Sequence, residues 1–139
     1  MVYALDTNIV INYLRNEPNV RLHFSNAIKK GDDIVIPRIV NYEIWRGFRI
    51  QHVPNKENLY RELIGQTGSA TFCNIAEMDV YCWERAEDVY GTLYHKRLTV
   101  GEMDILIAAL CLENNYTLIT NNLKDFANID GLAIEDWTI

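Results

Sequence analysis

Four residues carry the chemistry open to this chain: Asp6, Glu43, Asp104 and Asn122. Asp6 follows the apolar run Val2-Tyr3-Ala4-Leu5, and Asn122 follows Thr117-Leu118-Ile119 after a polar Thr120-Asn121 step. Asp104 precedes eight apolar residues in succession, Ile105 to Leu112. Glu43 stands at the edge of a helical apolar face made by Val40, Ile44 and Phe48, one turn before Gly47, whose missing side chain leaves room for something to approach. Acids gathered without a basic partner repel one another and raise each other's pKa. A divalent cation resolves that conflict, and oxygen donors with no His or Cys among them favour Mg2+ or Mn2+ over Zn2+. Mg2+ keeps several waters and is held by a few carboxylates plus a substrate phosphate, so the chemistry indicated is metal-assisted phosphodiester hydrolysis.

Each residue also has a plainer reading. Asp, Thr or Asn before a helix commonly caps it, satisfying its orphan N–H groups. Glu43 suits an i,i+3 pair with Arg46, and Asp104, in a first turn, suits the helix dipole. Yet no basic residue lies within a turn of Asp104, and an unpaired acid on a buried helix is costly unless it protonates.

Whether these groups meet depends on the elements that carry them. Val2–Leu5 reads as a buried strand; Ile9, Val10, Tyr13 and Leu14 fall at helical spacing, closed by Asn16-Glu17-Pro18. A second helix covers Val20 to Lys30 and stops at Gly31. Ile34-Val35-Ile36 is a strand, and Pro37 suits the first position of a helix running to Gln51. A helix from Asn55 to Gly65, a brief strand at Thr71-Phe72-Cys73 and a long helix from Glu77 to Arg97 come next. The helix after Asp104 is apolar all round and therefore buried. Thr117–Ile119 and Leu132–Ile134 are the last strands, with Trp137 packing against the body, while His23, His52 and His95 are ordinary surface or boundary residues. Strands alternating with helices imply a parallel sheet, in which residues following the strands collect on one rim.

With 139 residues, 49% of them apolar and 23% charged, the chain is expected to form a single globular domain over 1–139. Cys73, Cys82 and Cys111 form no C-x-x-C pair, which argues against zinc and a disulfide framework and for a reducing cytoplasm. No run is long enough for a membrane span, and no signal peptide is evident. The net charge of −6 speaks against a nucleic-acid partner unless bound cations cancel acids locally, so composition leaves the partner open.

Four motifs in order resemble those of PIN-domain nucleases: Leu5-Asp6-Thr7-Asn8, Tyr42-Glu43-Ile44-x-x-Gly47, Asp104-x-x-Ile107-Ala108-Ala109 and Thr120-Asn121-Asn122-x-x-Asp125-Phe126. Their order and spacing, with Glu135-Asp136-Trp137 near the end, are most similar to VapC-type toxins of toxin–antitoxin modules. The resemblance implies an α/β, PIN-like three-layer fold with a central parallel sheet of four to five strands flanked by helices. It implies a Mg2+- or Mn2+-dependent endoribonuclease cutting RNA, with tRNA or rRNA in view, a cognate antitoxin that blocks the site, and a homodimer within a toxin–antitoxin hetero-oligomer. Asp6, Glu43 and Asp104 would be the metal-binding acids, supported by Thr7, Asn8 and Thr120; apart from the resemblance, Arg46, with Arg38, Arg49, Lys96 and Arg97, is a candidate to hold the RNA backbone, and each equally suits a solvated surface. The chain departs from the family at Asn122, where a fourth acid is usual: the amide can ligate through its oxygen but brings no charge, which leaves the metal count open between assistance from Asp125 and a second metal that binds only with RNA present.

Competing classes are a PIN-like nuclease acting on DNA and a non-catalytic α/β interaction domain. The acidic pair and late Lys of a receiver-type phosphoacceptor are missing, and Asn8 stands where a haloacid dehalogenase phosphatase would need its second Asp.

Overall fold

Five short segments pair side by side into one parallel sheet in the computed structural model, which describes residues 1–67 and 72–139. In chain order the elements are β1 (Val2–Leu5), α1 (Thr7–Leu14), α2 (Pro18–Lys30), β2 (Asp33–Pro37), α3 (Arg38–Ile50), α4 (Pro54–Leu63), β3 (Asn74–Ala76), α5 (Val80–His95), α6 (Glu102–Asn114), β4 (Thr117–Ile119), α7 (Leu123–Phe126) and β5 (Ile134–Glu135). The strands stand in the order β3-β2-β1-β4-β5, so the expected α/β sheet flanked by helices has five strands.

β1 is central because it can be buried on both faces. Tyr3, Ala4 and Leu5 are all buried, which suits a parallel strand covered by helices above and below. Ala4 pairs with Val35 of β2 on one side and Leu118 of β4 on the other. The chain builds outward from β1 to β2 and β3, then crosses to the opposite side for β4 and β5. The β1/β4 boundary is therefore the topological switch point, where ligands of open α/β sheets bind beyond the carboxyl ends of the strands. Asp6 follows β1 directly and Thr120 follows β4 directly.

α6 is the most buried helix: Ile105 and Ile107 to Cys111 are shielded from water, and it packs on α5, α3, α7 and β4. An apolar helix clamped on several sides fixes the position of whatever stands in its first turn, here Asp104. α3 lies against α1, α6 and β2 through Val40, Ile44 and Phe48, which carries Glu43 towards the same rim.

Beyond shifts of one or two residues at the ends of α2, α4 and α5, the boundaries differ from the sequence reading in four places. Thr71 lies outside the described residues, and the strand expected at Thr71–Cys73 forms instead at Asn74–Ala76, while buried Cys73 donates its N–H to the Leu63 carbonyl. α5 begins at Val80 rather than Glu77, because Asp79 caps it by accepting from the Cys82 N–H at 2.9 Å; Glu77 instead pairs with Arg38. Pro37 ends β2 and sits at the cap of α3 instead of inside it. The last strand is Ile134–Glu135, not Leu132–Ile134. Trp137 is buried against Tyr3, as expected, with His23 stacked upon it.

All three cysteines are free and buried. Among the described residues no helix is long and apolar enough to cross a membrane.

Candidate active site

The rim beyond β1 and β4 is tied together by one polar knot. Asp6 is buried and extended (φ −73°, ψ 161°), so its side chain turns back over the first turn of α1. Its Oδ1 accepts from the Thr7 N–H at 2.8 Å, and its Oδ2 accepts from Thr120 Oγ1 at 2.8 Å and Asn8 Nδ2 at 3.0 Å. Asn8 Oδ1 in turn accepts the Asn121 N–H at 3.2 Å, and Thr120 Oγ1 accepts the Asn122 N–H at 3.0 Å. Asp6 is thus a helix cap, as the plainer reading had it, and also the anchor joining the ends of the two central strands. A carboxylate has about four acceptor positions. Three donors leave Asp6 room for one further partner.

Glu43 joins this knot through Thr7, whose hydroxyl donates to Oε1 at 3.1 Å. The i,i+3 alternative is also present, but loosely: Arg46 Nη2 stands 4.0 Å from Oε2, and its guanidinium also lies over the Tyr42 ring. With Arg46 about half exposed, such a pair contributes little.

Asp104 is the outlier. Burial pushes its carboxyl up to about 6, and the negative charges of Asp6, Asp125 and Glu43 push in the same direction. The dipole of α6 favours the carboxylate by only about 0.3–1 kcal/mol. Burial and three like charges outweigh it. The acids come together by geometry: Thr7 bonds both Asp6 and Glu43, and Asp104, in the first turn of α6, is close enough to Asp6, Asp125 and Glu43 for their charges to act on it. Asp125 therefore belongs to the group, held by Asn122 Nδ2, which donates to its Oδ2 at 3.1 Å. The amide at the fourth position orients an acid one turn away instead of being one.

The profile of the family described as PIN domain matches residues 3–132. The chain belongs to the PIN domain family. It is 30% identical over 141 residues to ribonuclease VapC1 of Haemophilus influenzae (strain R2866), covering 99% of both chains. It is 26% identical over 137 residues to the tRNA(fMet)-specific endonuclease VapC of Shigella flexneri, covering 98% of both. The crystal structure of VapBC2 from Rickettsia felis bound to a DNA fragment from the promoter superposes with a TM-score of 0.82 at 28% identity, over 99% of both chains.

The PIN-domain rim fits a divalent cation by its donor chemistry: oxygen donors only, an excess of negative charge, and one carboxylate, Asp104, whose ionisation nothing nearby relieves. Among the described residues no three acidic, imidazole or thiol groups are gathered tightly enough to enclose an ion by themselves.

Sequence reasoning missed the hollow beside this rim. It holds about 210 Å3 and is bounded by Thr7 and Glu43 at one end, by Ile11 and Phe48 along its wall, and by Arg15 and Lys56. Of its walls away from the rim, Gly47 alone gave a signal in the sequence. A larger hollow of about 600 Å3 lies between α2 and the C-terminal segment, where Lys29 and Lys30 share the walls with Glu135 and Asp136. Size alone would select that one, but none of the four converging acids lines it.

Proposed function

We propose that this chain is a metal-dependent endoribonuclease and the toxin of a type II toxin–antitoxin module, acting in the cytoplasm as one nuclease domain spanning 1–139. The observation that carries the reading is the convergence of Asp6, Glu43, Asp104 and Asp125 at the β1/β4 switch point of a PIN-domain sheet. The ribonuclease relatives support RNA as substrate, and the Shigella enzyme's name supports tRNA within that class. The VapBC2 complex supports a cognate antitoxin as partner.

Asp6, Glu43 and Asp104 would hold Mg2+ or Mn2+, with Asp125 completing the negative set. The bound cation would act as a Lewis acid on the phosphodiester and lower the pKa of water for attack. The chain's residues do the rest. The Asp6–Thr120–Asn8 knot fixes the direction of one carboxylate, and Thr7 fixes Glu43. Asp104, fixed in the first turn of buried α6, adds a carboxylate that burial and its neighbours leave without a countercharge until a cation binds. Arg46, beside Glu43 and half exposed, is placed to meet the RNA backbone.

The homodimer part of the proposal rests on α5. Trp83, Tyr90 and Tyr94 stand exposed on one of its faces. Its first half carries Glu84 and Glu87, and its end carries His95, followed by Lys96 and Arg97. A second copy laid antiparallel across Tyr90 would set Glu84 and Glu87 against His95 and Arg97 at both ends, Lys96 and Arg85 being paired within the chain to Asp130 and Glu113, the self-complementarity a two-fold interface needs. Light scattering should give twice the chain mass for wild type and the monomer mass for Tyr90→Asp; a monomeric wild type overturns this part.

The nuclease reading is tested with antitoxin-free protein on RNA and single-stranded DNA, with Mg2+ and with chelator. RNA cleavage abolished by chelator is expected. No cleavage of RNA overturns the reading, and cleavage of DNA alone would favour the DNA-directed alternative.

A further inference from the structure

The hollow beside Glu43 shares two walls with the acidic rim, since Thr7 and Glu43 line both. Its other surfaces differ in kind from the rim: Ile11, Leu14, Phe48 and Val53 are apolar, and Arg15 and Lys56 bring two cations. Gly47 opens onto it from the interior of α3. A Cβ built at Gly47 meets nothing within 4 Å. Glycine is among the least favourable residues inside a helix, and no contact among the described residues asks for it here. The space beside Gly47 is open to a group from another molecule.

We infer that this hollow is a nucleotide subsite, receiving the base of one nucleotide next to the scissile phosphodiester, with the adjoining phosphate against Arg15 and Lys56. The inference rests on the endoribonuclease reading and deepens it, by naming groups that would give that reaction a base preference. Charge favours this occupant: acids at one end demand a cation-bridged phosphate, and a backbone leaving them next meets the two cations. Volume agrees, since about 210 Å3 falls below the roughly 300–1,000 Å3 of sites that enclose a drug-sized molecule and suits a single flat ring system. An apolar wall with a polyanion track beside it is how bases are gripped in single strands.

Gly47→Leu fills the hollow from a position where the fold has space, and Gly47→Ala, which a helix favours, fills it less. The test compares kcat and KM of wild type and both variants on one mapped RNA substrate, then on the same RNA made abasic at each nucleotide flanking the cut. With intact RNA, Gly47→Leu is expected to raise KM about 10- to 100-fold, the range corresponding to loss of one base contact, with Gly47→Ala between it and wild type. An abasic sugar at one flanking position should remove the difference between the proteins, because nothing then enters the hollow. Thermal melting checks that both variants fold; should the leucine variant unfold, the alanine variant carries the comparison. Unchanged KM on intact RNA overturns the subsite, including when the variants bind antitoxin more weakly, which would assign the hollow to the protein partner. A wild type that cleaves no RNA overturns the nuclease reading as well, so the two failures are distinct.

Discussion

The two ends of the acidic rim are built on opposite terms. At the β1/β4 end, Asp6 is satisfied by three donors from Thr7, Asn8 and Thr120, and every contact there holds the two strand ends in place. At the α6 end, Asp104 is pressed by burial and by three like charges, its carboxyl raised to about 6. One carboxylate is part of the scaffold and the other is held against its own preference by the scaffold. The contrast teaches that the same residue type, in the same site, can contribute to stability with opposite sign while being needed for the same reaction.

Replacement of each acid by its amide should expose that difference most clearly. Asp6→Asn and Asp104→Asn are each expected to lower RNA cleavage by about 100-fold or more, the scale on which losing a positioned charge costs an active site. Their stabilities should diverge. Asp104→Asn should melt higher than wild type in chelator, since it removes the repelled charge. Asp6→Asn should melt lower, because an amide offers one accepting oxygen where two now accept three donors. Thermal melts beside single-turnover cleavage measure both, and matching stability changes would break the comparison.

Thr120→Val attacks the scaffold end without touching an acid. Thr120 is fully buried, donates to Asp6 and accepts from Asn122, so the valine leaves Asp6 Oδ2 with Asn8 as its one remaining donor and takes the acceptor from the Asn122 N–H. A loss of about 1–3 kcal/mol is expected in urea unfolding. A neutral result would mean that water replaces the hydroxyl and that the knot is not what positions Asp6.

Much of this was legible in the residues themselves. Val2–Leu5 ending in Asp6, the all-apolar stretch after Asp104 and the room left by Gly47 are local patterns, and local patterns survive folding. The convergence was not local. It depends on a strand order that crosses from β3 back to β4 beside β1, and no spacing along the chain states that order. β3 was misplaced because Thr71-Phe72-Cys73 has the higher strand propensity, while Asn74–Ala76 is strand by virtue of pairing with β2. The start of α5 was misplaced because two acids, Glu77 and Asp79, both suit a helix start, and a salt bridge to Arg38 took one of them. Arg15 and Lys56 gave no signal, since they come from separate elements and meet only beside α3.

Added Mg2+ should sharpen the comparison from the other side. A ligand that binds only the folded state stabilises it by RT ln(1 + [L]/Kd), about 2.7 kcal/mol at a hundredfold excess over Kd. If Asp104 helps to hold the cation, Mg2+ should raise the melting temperature of wild type clearly and that of Asp104→Asn much less. Thr120→Val, which keeps all four acids, should retain most of the wild-type shift. Equal shifts in wild type and Asp104→Asn would remove Asp104 from the metal site and leave its raised pKa a matter of burial alone.

The smallest effect is the one that isolates Asp104 by its own titration. The unfolded chain releases this proton near pH 3.9, whereas the folded chain holds it to about 6. Between those values the folded state binds more protons, so stability falls as pH rises through the window; the contribution is fully present below about 4 and gone above about 6. The carboxyl is only half-buried, and solvent screening reduces the effect to about 1 kcal/mol. The quantity to measure is a difference, in which everything but Asp104 cancels: unfolding free energy of Asp104→Asn minus that of wild type, in chelator, from pH 4 to pH 7. That difference should grow by about 1 kcal/mol as the wild-type carboxylate becomes charged against its neighbours. A flat difference would mean that Asp104 is as well accommodated as Asp6, and the two ends of the rim would then be built alike.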